Sequence, residues 1–402
     1  MKNTLEFHLD PVLPAYLIKD VLAKLAYLDE AVQTATISGD GATVTLSLSH
    51  SPTSEIHAEL DARLRHLVSA MATGAFEPTL RIIDEQHFPS KYTKDPIPEL
   101  IEARQVIPEG LGYFGLGPLL SGVVEYFEYQ FLSVANAISA AHYRFPALIA
   151  PAYLEKVQYF KNFPHSLTFA THLRGNLPDI ERFSAEARTE DGRITVDPGL
   201  FAQVPAMLAP TICHHLYFAL ANSRLSGPGV TVTASGNCFR YESRNMTTLE
   251  RLWNFTMREI IFVGTEEHVR VSLNNVRERL RKVLTEFEIS HKLMTANDPF
   301  FIGTFRDQAA YQAAFELKYE IRASLPFKDD SVAIGSYNRH GDFFGRTLDI
   351  TLEDGSAAYT GCVGIGFERM AYAYVAQHSV DPQNWPRAVR EGVAMRQGPG
   401  AF

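Results

Sequence analysis

Apolar and polar residues alternate through TATISGDGATVTLSLS (34–49), with Gly39-Asp40-Gly41 at the centre. This period of two around a turn signal predicts a β-hairpin. Upstream, PAYLIKDVLAKLAYL (14–28) has helical spacing. Downstream, SEIHAELDARLRHLVSAMATG (54–74) reads as an amphipathic helix with Ser54 as its cap and Gly74 past its end. Together these make a small α+β unit. The segment FPSKYTKDPIPEL (88–100) has three prolines and few apolar residues, so a boundary is expected there and the unit is taken as residues 1–95. Residues 96–395 read as one larger domain, and the end, 396–402, as a flexible tail. Within the larger domain a long, aromatic-rich helix is expected over 119–143 and another helical run over 265–293, the latter carrying the basic stretch RERLRK (277–282).

A different pattern occupies CFRYES (238–243). Arg240 and Glu242 stand two apart, which on a strand puts them on one face. After a short polar loop, Arg251, Phe255 and Glu259 follow at steps of four, aligned on one face of a strand or of a helix. The continuation IIFV favours the strand. Two guanidiniums, one flat apolar ring and one carboxylate suit a nucleotide. The arginines would meet phosphate, the ring would stack on a base, and the acid would accept from an exocyclic amine. The plainer alternative is a cross-strand ion pair on a solvated sheet.

Two further features carry chemistry. GCVGIGFERMAYAY contains Gly364, Gly366 and Arg369 as G-x-G-x-x-R ahead of a helix. It lacks the third glycine of a dinucleotide fingerprint, and glycines for tight strand–helix packing would explain it as well. Cys213, Cys238 and Cys362 include no C-x-x-C pair and are too few for a four-thiolate zinc site. Two of them with Glu259, His214 or His215 would make an open three-ligand site; buried inert thiols are the alternative.

Composition narrows the partners. The 402-residue chain is 46% apolar and 21% charged, with a net charge of −9, which argues against nonspecific nucleic-acid binding. No apolar run is long enough to suggest a membrane span, and MKNTLEFHLD lacks the apolar centre of a signal peptide. Three cysteines build no disulfide framework, so a cytoplasmic location is expected.

Taken together, Phe239-Arg240-Tyr241-Glu242, the loop, and Arg251, Phe255 and Glu259 resemble motif 2 of the class II aminoacyl-tRNA synthetases. Gly364, Gly366 and Arg369 resemble motif 3, and residues 119–143 followed by RFPALI, with Pro146, resemble motif 1. More narrowly, SYNRHGDFFG (336–345), FPALIAPAYLEKVQYFKNFP and YTGCVGIGFER resemble the amino acid:[carrier protein] ligases, relatives of the zinc-dependent methanogen-type seryl-tRNA synthetases. The resemblance implies an α+β fold, an antiparallel sheet flanked by helices, and a homodimer through motif 1. It implies zinc held by Cys213, Glu259 and Cys362, with Cys238 left over. It implies ATP bound by Arg240 at the α-phosphate, Glu242 at the adenine amine, Phe255 and Arg369 on the two faces of adenine, and Arg251 at the γ-phosphate. Magnesium would bridge the phosphates, with Arg240 and Arg369 the catalytic pair and Asn338 at the amino acid. The acceptor would be the phosphopantetheine thiol of a carrier protein rather than tRNA; a seryl-type tRNA synthetase is the alternative.

Three points depart from that pattern or lie outside it. An N-terminal unit precedes the core, and NRHGDFF stands where something closer to NYHQDHF is expected near the substrate pocket. Asp329 and Asp330 are near the position of an acidic magnesium ligand but do not align with it. For an acidic carrier protein, Arg270, Arg277 and Arg281 offer a cationic helix face, unless they simply pair with glutamates beside them.

Overall fold

The alternating stretch near the N-terminus folds as the hairpin its period predicts. This computed structural model describes residues 3–72, 80–90, 92–296 and 317–397. In it, β1 (Thr4–His8), α1 (Ala15–Leu25), β2 (Val32–Ile37), β3 (Thr43–Leu48) and α2 (Ser54–Ala72) form an α+β unit. Its antiparallel sheet has the order β1-β3-β2. Val44, Leu46 and Leu48 pack from the sheet against Leu17, Val21 and Leu25 of α1 and Leu60 and Leu64 of α2. The cap of α2 is Thr53, not Ser54: its Oγ1 accepts from the Ile56 N–H at 3.2 Å. Gly74 and most of the expected tail lie outside the described residues.

The larger part is built on one eight-stranded sheet. In chain order its elements are β4 (Ile82–Gln86), α3 (Pro118–Asn136), β5 (Ala141–Tyr143), α4 (Cys213–Ala219), β6 (Gly229–Phe239), β7 (Asn254–Gly264), α5 (Glu266–Glu286), β8 (His291–Thr295), β9 (Lys318–Leu325), β10 (Asp330–Gly341), β11 (Tyr359–Gly366), α6 (Phe367–His378) and α7 (Arg387–Gln397). The strand order is β4-β8-β9-β10-β11-β7-β6-β5, antiparallel except for β5 beside β6. Residues 82–86, inside the range expected for the N-terminal unit, pair with β8 of this sheet.

Both long helices end earlier than their composition suggests. After Asn136 the chain reverses at Ser139, with φ +56°, and residues 141–143 become a parallel strand beside Val232–Ala234. Thr265 caps α5 by accepting from the His268 N–H at 3.1 Å. A left-handed Glu288 at φ +54° separates that helix from β8. Along α5, Arg270 pairs with Glu267 at 2.7 Å, Arg277 with Glu278 at 3.9 Å and Arg281 with Asp84 of β4 at 2.6 Å, and Arg279 donates to Asn275 at 2.8 Å.

Helices α3, α5 and α6 cover one face of the sheet. Phe127 of α3 stacks on Phe287 at the end of α5 with centroids 4.7 Å apart, and Tyr374 of α6 meets Phe127 edge-on at 5.3 Å. Helix α6 is buried almost all round, which is why its sequence shows no polar stripe. Strand–helix packing is close at Gly361, where a Cβ would stand 2.9 Å from Val269 Cγ1 and 3.2 Å from Leu273 Cδ1. The opposite face of the central strands is left to the site. Gly361→Val is expected to cost about 1–3 kcal/mol by overpacking this contact, read as a lower urea midpoint at unchanged m-value. A wild-type midpoint would contradict the packing.

Candidate active site

Strand register assembles the site. Because cross-strand partners share a face, Glu259 on β7 lies in one row with Ala234 on β6, Gly364 on β11, Ser336 on β10 and Glu320 on β9. The next row holds Ile261, Cys362, Asn338 and Lys318. The row on the other side holds Gly236, Met257 and Gly366. A Cβ on Gly364 would come within 2.8 Å of Met257 Cε and 3.4 Å of Glu259 Cγ, whereas Gly366 faces open space. The glycines of the G-x-G-x-x-R segment thus form the floor of a site. The glycine that lets strand and helix approach is Gly361.

At one end of this floor, Cys213, Glu259 and Cys362 are all buried, and their ligand atoms lie within 4.8 Å of one another. Cys213 starts α4, Glu259 sits mid-strand in β7, and Cys362 sits in β11. The Glu259 carboxylate accepts from Thr211 Oγ1 at 2.6 Å, from the Ile212 N–H at 3.3 Å and from the Cys213 N–H at 3.1 Å. Asn338 Nδ2 donates to Cys362 Sγ at 3.5 Å and to Ser336 Oγ at 3.0 Å. The neighbouring Cys213 thiol and burial push the Cys362 thiol well up. With both thiols ionised beside the carboxylate, this dry site would need a cation among the three, and soft sulfur with one oxygen suits zinc.

The other candidate ligands are elsewhere. His214 lies among Tyr159 and Phe344, with ring centroids at 5.7 and 5.5 Å, and burial pushes its pKa down to about 3. His215 stacks on Phe145 at 5.3 Å. Cys238 is buried against Ile212, Ala234 and Met257 and is not in the cluster.

At the other end the expected arginines and acids converge, though not from strands. Strand β6 stops at Phe239, so Arg240 and Glu242 do not sit on a strand face as expected. The Arg240 N–H still donates to Trp253 O at 2.9 Å, but the Tyr241 N–H turns to Ser166 O at 3.1 Å and draws the chain off the sheet. Arg251 likewise precedes β7, whereas Phe255 and Glu259 are in it. The Arg240 guanidinium lies 5.4 Å from the Phe255 ring centroid, with Nε donating to Pro210 O at 2.8 Å. Glu242 pairs with Arg251. Burial alone would raise the Glu242 carboxyl, but Arg251, Arg369 and Arg240 outweigh it and hold it below the ordinary range.

Arg369, in the first turn of α6, donates to Ala333 O at 3.4 Å. That carbonyl lies at a register shift between β9 and β10, a bulge that also explains why buried positions in β10 run 332, 334, 337. Beside Arg369, Glu368 accepts from the Thr256 N–H at 2.8 and 2.9 Å, and burial still pushes its carboxyl up.

Asp329 and Asp330 sit at the hairpin turn between β9 and β10, five pairs along the strand from the site row, and Asp330 pairs with Lys19 at 3.6 Å. Besides Glu259, the sheet brings Glu320 to the site row, held by Arg322 at 3.1 Å and Lys318 at 3.6 Å. Sequence reasoning missed Glu320, Thr211, Ser336 and Glu368. Ser336 was the accessible one, two residues before Asn338 and so on the same face.

The fold is that of a class II synthetase core. The family model for the tRNA synthetase class II core domain (G, H, P, S and T) matches residues 206–378. Amino acid--[acyl-carrier-protein] ligase 2 of Bradyrhizobium diazoefficiens is 30% identical over 314 residues, covering 77% of this chain and 92% of that protein. The chain belongs to the amino acid–acyl-carrier-protein ligase family. It is also similar to the type-2 serine–tRNA ligase of Methanopyrus kandleri, 26% identical over 50% of this chain and 39% of that one. The solved M. kandleri SerRS, in complex with A. aeolicus tRNASec, superposes with a TM-score of 0.69 at 18% identity, covering 97% of this chain and 77% of that chain, a likeness of fold. No helix among the described residues is long and apolar enough to cross a membrane.

The cluster makes a direct prediction. Cys213→Ser and Cys362→Ser are expected to lose bound zinc, measured by elemental analysis of purified protein, while Cys238→Ser keeps it. Zinc lost from Cys238→Ser but kept in Cys362→Ser would contradict the ligand set.

Proposed function

We propose that the protein activates an amino acid with ATP as the aminoacyl adenylate and transfers it to the phosphopantetheine thiol of a carrier protein. The observation that carries this reading is the meeting, on one glycine-floored sheet face, of a buried Cys213–Glu259–Cys362 cluster with Arg240, Phe255, Glu242 and Arg369. One half suits an amine at a soft metal, the other a nucleotide. Family membership at 30% identity supports the acceptor.

In the first step a carboxylate oxygen of the amino acid forms a bond to the α-phosphorus of ATP. The bond to the bridging oxygen breaks, and pyrophosphate leaves with the electron pair. No protein nucleophile is required, so positioning and charge neutralisation carry the catalysis. Arg240 would hold the α-phosphate and the incoming carboxylate, braced by Pro210 O and flat over Phe255. Glu242 would accept from the adenine amine, with Phe255 and Arg369 on the two faces of the base and Arg251 at the γ-phosphate. Since Glu242 and Arg251 satisfy each other, ATP has to exchange that ion pair for its own contacts. Cys213, Glu259 and Cys362 would hold zinc, which when bound offers an open position to an uncharged amine. Asn338, braced on Ser336 and Cys362, faces the same end. Magnesium would accompany the phosphates, and Glu320 is the acid on this face that fits it.

In the second step the thiol loses its proton and its sulfur bonds to the adenylate carbonyl carbon, and AMP leaves. A homodimer fits the short, exposed edge strand β5, and the reaction suits the cytoplasm; tRNA is not needed as a partner.

Arg240→Ala is expected to slow amino-acid-dependent pyrophosphate exchange by about 100-fold or more. Phe255→Ala should mainly raise the apparent KM for ATP, since stacking acts on ground state and transition state alike. Unchanged exchange in Arg240→Ala would remove the adenylation reading. Loading of tRNA rather than of phosphopantetheinylated carrier protein would overturn the acceptor alone.

A further inference from the structure

The loop that follows Arg240 and Glu242 is held by the N-terminal unit. A helix leaves its last carbonyls without internal partners. At the end of α1, Ala23 O accepts from Asn245 Nδ2 at 3.1 Å and Ala26 O from Ser243 Oγ at 3.2 Å. Arg244, between these two donors, gives hydrogen bonds to Gln33 Oε1 at 2.8 Å and Glu30 O at 3.3 Å. Ser243 and Asn245 therefore cap the end of α1, while Arg244 between them ties the same loop to the segment that leads from α1 into β2. Ser243 adopts φ +54°, a left-handed conformation that a serine keeps only where its surroundings hold it.

A second tether lies on the other side of Glu242. Tyr27, two residues past α1, meets His165 edge-on with centroids 5.5 Å apart. His165 belongs to the Pro164–Ser166 turn, whose Ser166 carbonyl accepts from the Tyr241 N–H at 3.1 Å. So Tyr241 and Ser243, the residues flanking Glu242, are both anchored toward α1, one through the His165 turn and one directly. Burial pushes the His165 pKa down to about 4, which keeps this aromatic contact neutral.

We propose that the N-terminal unit is a positioning element for the nucleotide: docking of the α1 end on Ser243 and Asn245, and of Glu30 and Gln33 on Arg244, sets Glu242 and its arginines where ATP meets them. The inference rests on reading Arg240 and Glu242 as nucleotide residues. Arg244, Asn245 and Gln33 are then positioning residues, acting through Glu242 without touching ATP.

The test uses the full chain, with pyrophosphate exchange measured against ATP and against amino acid separately. Arg244→Ala is expected to raise the KM for ATP about fivefold, the worth of one hydrogen bond, with the KM for amino acid and the thermal midpoint unchanged. Gln33→Ala, a substitution wholly within the N-terminal unit, should raise the KM for ATP in the same direction. The double variant should be less than additive, because the two share a bond. Equal rises in both KM values, or a wild-type KM for ATP in Arg244→Ala and Gln33→Ala while Arg240→Ala is inactive, would overturn the inference alone. Full exchange in Arg240→Ala would overturn it together with the site reading.

Discussion

A carboxylate buried in the middle of a sheet has to be satisfied on every side, and Glu259 sets the terms for the structure around it. At 2% exposure it cannot rely on water. Three donors from residues 211–213 meet it, so the start of α4 is tied to the centre of β7. That tie brings Cys213 to the sheet, and the strand register brings Cys362 to the same place. Gly364 has no side chain because Glu259 and Met257 occupy the space one would need. A buried acid, a helix start and a glycine floor are therefore one arrangement. A buried charge pair or cluster is a costly way to stabilise a fold, and its retention here is best understood through the chemistry it allows.

Much of the candidate site was legible because strand periodicity carries spatial information. Phe255 and Glu259 at a step of four had to share a face, whereas the grouping of Glu259 with Cys213 and Cys362 came from the resemblance. Strand register, which sequence alone does not supply, is what sets Cys362, Gly364 and Gly366 beside that face. The limits of the reading have physical causes. Arg240 and Glu242 look like strand residues by spacing, yet the Tyr241 N–H goes to the Ser166 carbonyl and the strand stops at Phe239, before either of them. Aromatic content suggested a helix through residue 143, but a single left-handed residue at Ser139 stops it and frees a sheet-edge strand. Glu320 was passed over because its partner row is defined by pairing with Ser336, far along the chain, and not by any local motif.

The two parts of the chain meet at that same place. Strand β7 supplies Phe255 and helix α6 supplies Arg369, both regular elements, while Glu242 comes from a loop. Loops are mobile unless something orders them, and here the ordering contacts come from the carbonyl end of α1. Ser243 and Asn245 meet the hydrogen-bond needs of that helix terminus, and Arg244 between them ties the same loop to Glu30 and Gln33. A family core with an added N-terminal unit thus has that unit touching the loop on which adenine recognition would depend.

The central claim is that the substrate amine is read by the Cys213–Glu259–Cys362 cluster while Arg240 holds the phosphate end of the same molecule. Anomalous diffraction at the zinc absorption edge, from crystals grown with a sulfamoyl analogue of the aminoacyl adenylate, tests it most directly. The account predicts one peak among those three side chains with the analogue's amine about 2 Å away, and the sulfamoyl group against Arg240. No peak there, or an amine directed away from it, would contradict the account.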